Sequence, residues 1–271
     1  MLIAQITDTH IRAPGCLSYG KVDTCLYLEQ CVHHINVLSP RPDVVLVTGD
    51  IADFGRPEEY QQISLLLNQL TVPYFVIPGN HDLPDAMRLE FSDHHYLPAN
   101  GFIQYVIEDF PVRMIGLDTQ VIGKPYGLMC QERLDWLEHQ LLAQPDKPTL
   151  LFMHHPPFKT GIEHMDVQNC RNADALGSLV EQHPQIKYIL CGHVHRQIEV
   201  AWHGTIAAIG PGPGHSVALD LNPKGPSAFR LEPRALKLLH WNGADLIGHL
   251  SFIGEYEGPY PFYDTDGNLI E

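Results

Sequence analysis

"YFVIPGNHDLPD", residues 74–85, begins with four large or β-branched apolar residues, the length of a short buried strand, and then breaks off at Pro78 and Gly79. Beyond the break stand an amide, an imidazole and a carboxylate: Asn80, His81 and Asp82. Alone, the stretch reads equally well as a turn, because Gly accepts positive φ and Asn and Asp bond their own backbone. It is not alone. The same passage from apolar run to polar tip recurs in "LIAQITDTH" (2–10), "DVVLVTGDIAD" (43–53), "VRMIGLDT" (112–119), "TLLFMHHPP" (149–157) and "KYILCGHVH" (187–195). Such runs suit strands buried on both faces.

Between most of these runs lie stretches with apolar residues at i, i+3, i+4 and i+7: 22–39, 57–70, 131–144 and 171–183. Strand alternating with helix predicts a layered α/β architecture with right-handed crossovers. The polar tips then share one rim at the carboxyl ends of the strands, where open α/β sheets bind ligands. After residue 196 the pattern changes to strands joined by Gly, Pro and Asn-Gly turns, with no helix. "LNPKGPSAF" (221–229) reads as an exposed loop, and the turn-rich tail 255–271 is expected to lie over the surface.

The chain has 271 residues, 44% of them hydrophobic and 18% charged, which suits one large domain, or one with an appendage, and neither a disordered nor a membrane protein. The first ten residues lack the features of a signal peptide and no run reaches the length of a membrane span, so a cytoplasmic location is expected. Six cysteines without CxxC spacing argue against a disulfide framework and a thiolate zinc site, and fit a reducing compartment. A net charge of -15 disfavours long nucleic acids as partners. Against that acidic background, 17 histidines supply nitrogen ligands at neutral pH.

Collected from the rims, the polar residues are Asp8, His10, Asp50, Asn80, His81, His154, His155, His193 and His195. Residues two apart in a strand face the same side, so Asp8 with His10 and His193 with His195 are expected to act as two clips on one point. Each group singly could be a helix cap or a loop, but the turn preference for Asn, Asp and Ser does not produce six histidines, His10, His81, His154, His155, His193 and His195. Seven ligand side chains exceed the four that one zinc takes. They suit two ions with a central bridging carboxylate, a geometry that clamps both the attacking and the leaving oxygen of an in-line displacement. Nitrogen and oxygen donors without thiolate suit Mn, Fe, Zn or Co, as a divalent or mixed-valence pair.

The order "DTH" (8–10), "GDIAD" (49–53), "GNHD" (79–82), "MHHPP" (153–157) and "GHVH" (192–195) resembles the calcineurin-like metallophosphoesterases over roughly residues 2–200. "GDIADFGRPEEY" (49–60) and the chain's size are similar to the bacterial branch of class III cyclic-nucleotide phosphodiesterases and glycerophosphodiesterases. The resemblance implies a β-sandwich flanked by helices as catalytic core (1–196), a β-rich cap or dimerisation segment (197–240), and a strand returning to the core with a surface tail (241–271). It implies a homo-oligomer, a dimer or higher. It further implies that Asp8, His10 and His195 hold one metal, that Asn80, His154 and His193 hold the other, and that Asp50 bridges them.

By the same resemblance His81 is the imidazole beside the phosphate, Asn80 also meets substrate, and His215 in "GPGPGHSV" lies near it. His155, Asp53 and Asp82 would orient backbone and ligands. The implied reaction is hydrolysis of a small phosphodiester, a cyclic nucleotide such as 3',5'-cAMP or a glycerophosphodiester, by in-line attack of a metal-bound hydroxide. Competing expectations are a phosphomonoesterase or phosphonate monoester hydrolase on the same centre, and a non-catalytic scaffold. Scaffold members typically lack several ligands, whereas every motif position is filled here.

Overall fold

The computed structural model describes residues 1–270. Its first half runs β1 (Leu2–Ile6), α1 (Thr24–Val37), β2 (Val44–Thr48), α2 (Pro57–Leu67), β3 (Tyr74–Ile77), α3 (Pro84–Glu90), β4 (Tyr105–Ile107), β5 (Arg113–Leu117), β6 (Gly127–Leu128) and α4 (Gln131–Ala143). Next come β7 (Thr149–Met153), α5 (Glu163–Asp166), β8 (Cys170–Arg171), α6 (Ala173–Glu181), β9 (Ile186–Cys191), β10 (Ile198–Trp202) and β11 (Thr205–Ile209). The chain closes with β12 (Ser216–Val217), β13 (Phe229–Arg230), β14 (Ala235–Trp241) and β15 (Leu246–Phe252). The expected alternation is therefore present. Short α3 and α5 are additions that the apolar spacing did not signal.

The strands assemble into a five-stranded sheet, β15-β14-β1-β2-β3, and a six-stranded sheet, β10-β11-β9-β7-β5-β4. Strands β1, β2 and β3 are parallel, as are β5, β7, β9 and β11, while β14, β15, β4 and β10 join antiparallel. Strand alternation sorts the second sheet between two cores. Leu150 and Phe152 of β7, and Tyr188 and Leu190 of β9, join the core that contains β1, β2 and β3. Their neighbours Leu151, Met153, Ile189 and Cys191 face the other way.

Helices α1, α2 and α3 cover the outer face of the first sheet through Leu28, Val32, Tyr60, Ile63 and Met87. Helices α4 and α6 cover the second through Leu134, Leu137, Leu176 and Val180. Buried Lys237 of β14 donates to Glu199 of β10 at 2.5 Å and so ties the two sheets together. No helix among the described residues is long and apolar enough to cross a membrane.

The segment after residue 196 is divided between layers. Strands β10 and β11 extend the second sheet, β14 already lies beside β1, and 210–234 remains outside both. Residues 254–270 of the tail are all exposed. Its polar groups bond within it, as when Asp264 accepts from the amides of Asp266 and Asn268.

Leu46, fully buried in β2, is expected to cost about 2–5 kcal/mol when replaced by alanine. Denaturant unfolding of metal-free Leu46→Ala measures this, and a loss under about 1 kcal/mol would contradict a close-packed β2.

Candidate metal centre

Strand β1 stops at Ile6 and β9 at Cys191, so the paired motif residues do not sit in strands as expected. They lie just beyond, in left-handed backbone: φ is 54° at Asp8, 44° at His10, 48° at Asp50, 75° at His193 and 54° at His195. Such conformations cost a non-glycine residue about 1–2 kcal/mol and persist only where the surroundings hold them. Here the two loops continue to bond past the strand ends. The amide of Asp8 donates to Gly49 O (3.0 Å), that of His10 to Asp50 O (2.9 Å) and that of Ile11 to Ile51 O (3.0 Å). Convergence of Asp8 with His10 comes from two reversals of the chain, not from strand alternation.

Glycine at two motif positions brings the loops into contact. A Cβ on Gly79 would lie 2.2 Å from Asp50 Oδ1, the oxygen that accepts the amide of His81 at 2.8 Å. A Cβ on Gly49, where φ is +90°, would lie 2.6 Å from His154 Nδ1. Asp82 accepts from the amides of Gly79, Ile51 and Ala52 and from the Tyr60 hydroxyl, which holds the turn 79–82 against the Asp50 loop. Its role is to orient backbone.

The side chains meet at one point. His154 Nδ1–H donates to Thr48 O (2.8 Å), which leaves Nε2 at 3.3 Å from Asp50 Oδ2. His10 Nδ1 lies 3.1 Å from Asp53 Oδ1, and its Nε2 is 3.7 Å from Asp50 Oδ2 and 3.2 Å from His195 Nε2. His195 Nε2 is 3.4 Å from Asp8 Oδ1, and the Asp8 carboxylate is aimed by the amide of His193 and the Thr7 hydroxyl. Ligand atoms of Asp8, His10 and His195 lie within 4.8 Å of one another, as do those of Asp8, Asp50 and His154.

Six buried polar atoms in and around this cluster have no hydrogen-bond partner: Asn80 Oδ1, His154 Nε2, His193 Nε2 and His195 Nδ1 within it, and His155 Nε2 and His215 Nδ1 against it. Each orphaned group costs about 1–3 kcal/mol. A convergent set of imidazole, amide and carboxylate donors in that condition fits cations.

Charge in the cluster is set by burial and by Asp50. Burial raises the Asp8 carboxyl to about 6, against the opposing pull of His154. Burial would raise Asp50 too, but His154 and His81 hold it well below the usual range. His154 is lowered by burial and raised more by the Asp50 carboxylate, to about 9. Burial and His154 lower His193 to about 3, and burial and His215 hold His195 well below its ordinary value. At neutral pH His193 and His195 therefore present free lone pairs, while His154 carries a proton that a cation would displace.

The remaining expected residues are also at this rim. His81 lines a cavity of about 410 Å³ together with His10, Asp50, Asn80, His193, His195 and His215. Its Nδ1–H donates to Asp53 O at 2.7 Å, leaving Nε2 free. His215 packs its ring 4.5 Å from that of His195, and burial and His10 lower it to about 3, so it is neutral. His155 lies behind the cluster, its Nδ1 2.8 Å from Thr119 Oγ1 and its ring 4.7 Å from that of His193.

Sequence reasoning missed the cavity's outer wall, where Tyr19, Met165, Gln168 and Phe229 come from three segments distant in the chain and without shared spacing. It also missed Thr48, whose main-chain carbonyl leaves no residue-type signal.

A two-sheet sandwich that gathers such a donor set beyond its strand ends defines a metal-dependent phosphoesterase. The chain belongs to the calcineurin-like phosphoesterase family, which it matches over residues 1–197, and it is a hydrolase. It is 46% identical over 273 residues to a probable glycerophosphodiester phosphodiesterase of Arcobacter nitrofigilis, covering 100% of both chains. It is 32% identical to the 3',5'-cyclic adenosine monophosphate phosphodiesterase of Escherichia coli, over 74% of this chain and 72% of that one. The fold is shared with a dimetal phosphatase from Danio rerio at a TM-score of 0.63 and 15% identity, covering 93% of this chain and 98% of the other.

Metal binding is expected to compete with protons. Because His154 is raised to about 9, loading at pH 7.5 should release about one proton or more per chain. Release should fall as pH passes His154's value, and affinity should drop more steeply below about 6, where Asp8 is also protonated. Calorimetric titration in buffers of different ionisation enthalpy measures this, and loading without proton release at pH 7.5 would contradict it.

Proposed function

We propose that the protein hydrolyses small phosphodiesters, glycerophosphodiesters foremost, at a dinuclear metal centre. The observation that carries this is the set of buried, unpartnered donors converging on a cavity that His81 also lines. Asp8, His10 and His195 would hold one ion, Asn80, His154 and His193 the other, and Asp50 would bridge. Mn, Fe, Zn or Co each suits the thiolate-free donors. Bound there, the ions would activate water near neutral pH and neutralise charge on the phosphoryl oxygens.

The chain's own residues do the rest. The bond from His81 Nδ1–H to Asp53 O leaves Nε2 as the atom able to hand a proton to the leaving alkoxide. Asn80, with its oxygen committed to a cation, has its Nδ2 hydrogens available to a phosphoryl oxygen. Neutral His215 can donate or accept beside His195 without adding charge. Tyr19 and Phe229, with rings 5.1 Å apart, wall the cavity against bulk water.

Residues 1–196 form the catalytic core in this proposal, and 197–240 caps the site or dimerises, with Val217, Ser227 and Phe229 on the cavity supporting the capping role. The stretch 241–271 supplies the outer strand β15 and the exposed tail, whose Tyr260 and Phe262 support association into a homo-oligomer. Cysteines without metal or disulfide spacing support a cytoplasmic setting. Full-length similarity to the Arcobacter nitrofigilis protein favours glycerophosphodiesters. Likeness to the Escherichia coli enzyme keeps a cyclic nucleotide as second reading.

Protein stripped by chelator and reloaded with each metal should hydrolyse bis(p-nitrophenyl) phosphate faster than p-nitrophenyl phosphate, and glycerophosphodiesters faster than cAMP. His81→Ala should keep both ions and lose about 10²–10⁴ in kcat. A preference for the monoester would redirect the assignment to phosphomonoester hydrolysis, and unchanged kcat in His81→Ala would remove that residue's role.

A further inference from the structure

Beneath the turn that carries Asn80 and His81 lies Gln120, a residue none of the motifs includes. It lies just past β5 and is 5% exposed. Its Nε2 is 2.6 Å from the carbonyl oxygen of Gly79 and 2.6 Å from that of Asp82. One amide group thus spends its two N–H bonds on the two carbonyls that bracket Asn80 and His81. The opposite side of the turn is held by the Asp82 carboxylate, which takes the Gly79 amide at 2.8 Å.

Gln120 is itself anchored. Its main-chain N–H donates to Asp118 Oδ1 at 2.8 Å, and its main-chain carbonyl accepts from Arg133 Nη2 at 2.5 Å. Arg133, on α4 and 3% exposed, also donates to Asp118 Oδ1 (3.2 Å) and Leu128 O (2.7 Å), with its guanidinium 3.9 Å over the Phe102 ring. The bonds among Gly79, Asp82, Gln120, Asp118 and Arg133 are all buried. They connect a rigid helix on the outer face of the second sheet to a turn at the end of the first.

We propose that Gln120 is a positioning residue: through the carbonyls of Gly79 and Asp82 it fixes the turn that presents Asn80 to the second metal and His81 to the substrate. The proposal rests on the ligand assignment made above. Glutamine suits the place because a carboxylate would repel both carbonyls, and a hydroxyl has one hydrogen to give. The loops carrying Asp8, His10 and His195 make no hydrogen bond to Gln120, so its effect falls first on the site that Asn80 completes and reaches the other only through Asp50, which the turn also touches.

The test is calorimetric titration of the stripped full-length protein with Mn²⁺, in wild type, Gln120→Met, Asn80→Ala and the double variant. Gln120→Met keeps the volume and removes both donors, and Gln120→Leu, also uncharged and without a donor, accompanies it should the methionine variant fail to fold. The expected result is two ions in wild type. In the variant one site should weaken about 10–100-fold, as when the partner orienting a ligand is lost, while the other stays within about two-fold. Adding Gln120→Met to Asn80→Ala should weaken that site no further, because the two act through one ligand. With substrate, kcat should fall more than KM rises.

Equal weakening of both sites, a loss of thermal stability with both affinities kept, or full additivity with Asn80→Ala would each overturn the role of Gln120. Fewer than two ions in wild type would overturn the ligand assignment and this proposal with it.

Discussion

Asp50 is the constraint around which the centre is arranged. A carboxylate 2% exposed at the meeting of two sheets faces a desolvation penalty that favours its neutral form. It stays ionised because His154 Nε2 lies 3.3 Å away and the amide of His81 donates to it. The same charge keeps a proton on His154, while burial keeps His193 and His195 neutral. The buried carboxylates thus divide the surrounding imidazoles: against the effect of burial, Asp53 and Asp50 raise His10 and Asp50 raises His154, while His193 and His195 keep free lone pairs. Exchange of the His154 proton for metal charge is the electrostatic step for which the cluster is built.

Holding these groups together requires backbone that the sequence would not otherwise adopt. Left-handed conformations at Asp8, His10, Asp50, His193 and His195 place most of the proposed ligand set in strained positions. The strain is tolerated because rungs between the 8–11 and 49–51 loops prolong the sheet's bonding beyond the last strand residues. Parallel strands β1 and β2 set those loops side by side, and β7 and β9 bring His154 and His193 up from the facing sheet. The centre lies where two separately hydrogen-bonded sheets end together, so neither sheet alone contains it.

Legibility of the sequence depends on which groups carry the information. Apolar runs such as 44–48 and 149–153 are buried along their whole length, and that burial is written in side chains. His154 and Asn80 can be singled out because imidazole and amide at strand ends have few structural uses. The strand ends themselves are not legible: "ITDTH" offers no residue that marks Ile6 as the last extended position, since an Asp in left-handed backbone looks like any other Asp. Helix α3 is hidden because its only fully buried side chain is Met87, too little for a periodic stripe. The cavity's outer wall and the Gln120 link are illegible for a deeper reason. They depend on contacts between segments far apart in the chain, and on main-chain carbonyls that any residue provides.

The most direct measurement is anomalous diffraction from crystals of the Mn-loaded protein. The expected result is two peaks about 3.5–4 Å apart, with the Asp50 carboxylate between them and the His154 and His193 imidazoles on one ion. A single peak remote from Asp50, or none with His154 still paired to Asp50, would contradict the dinuclear centre on which the proposed chemistry depends.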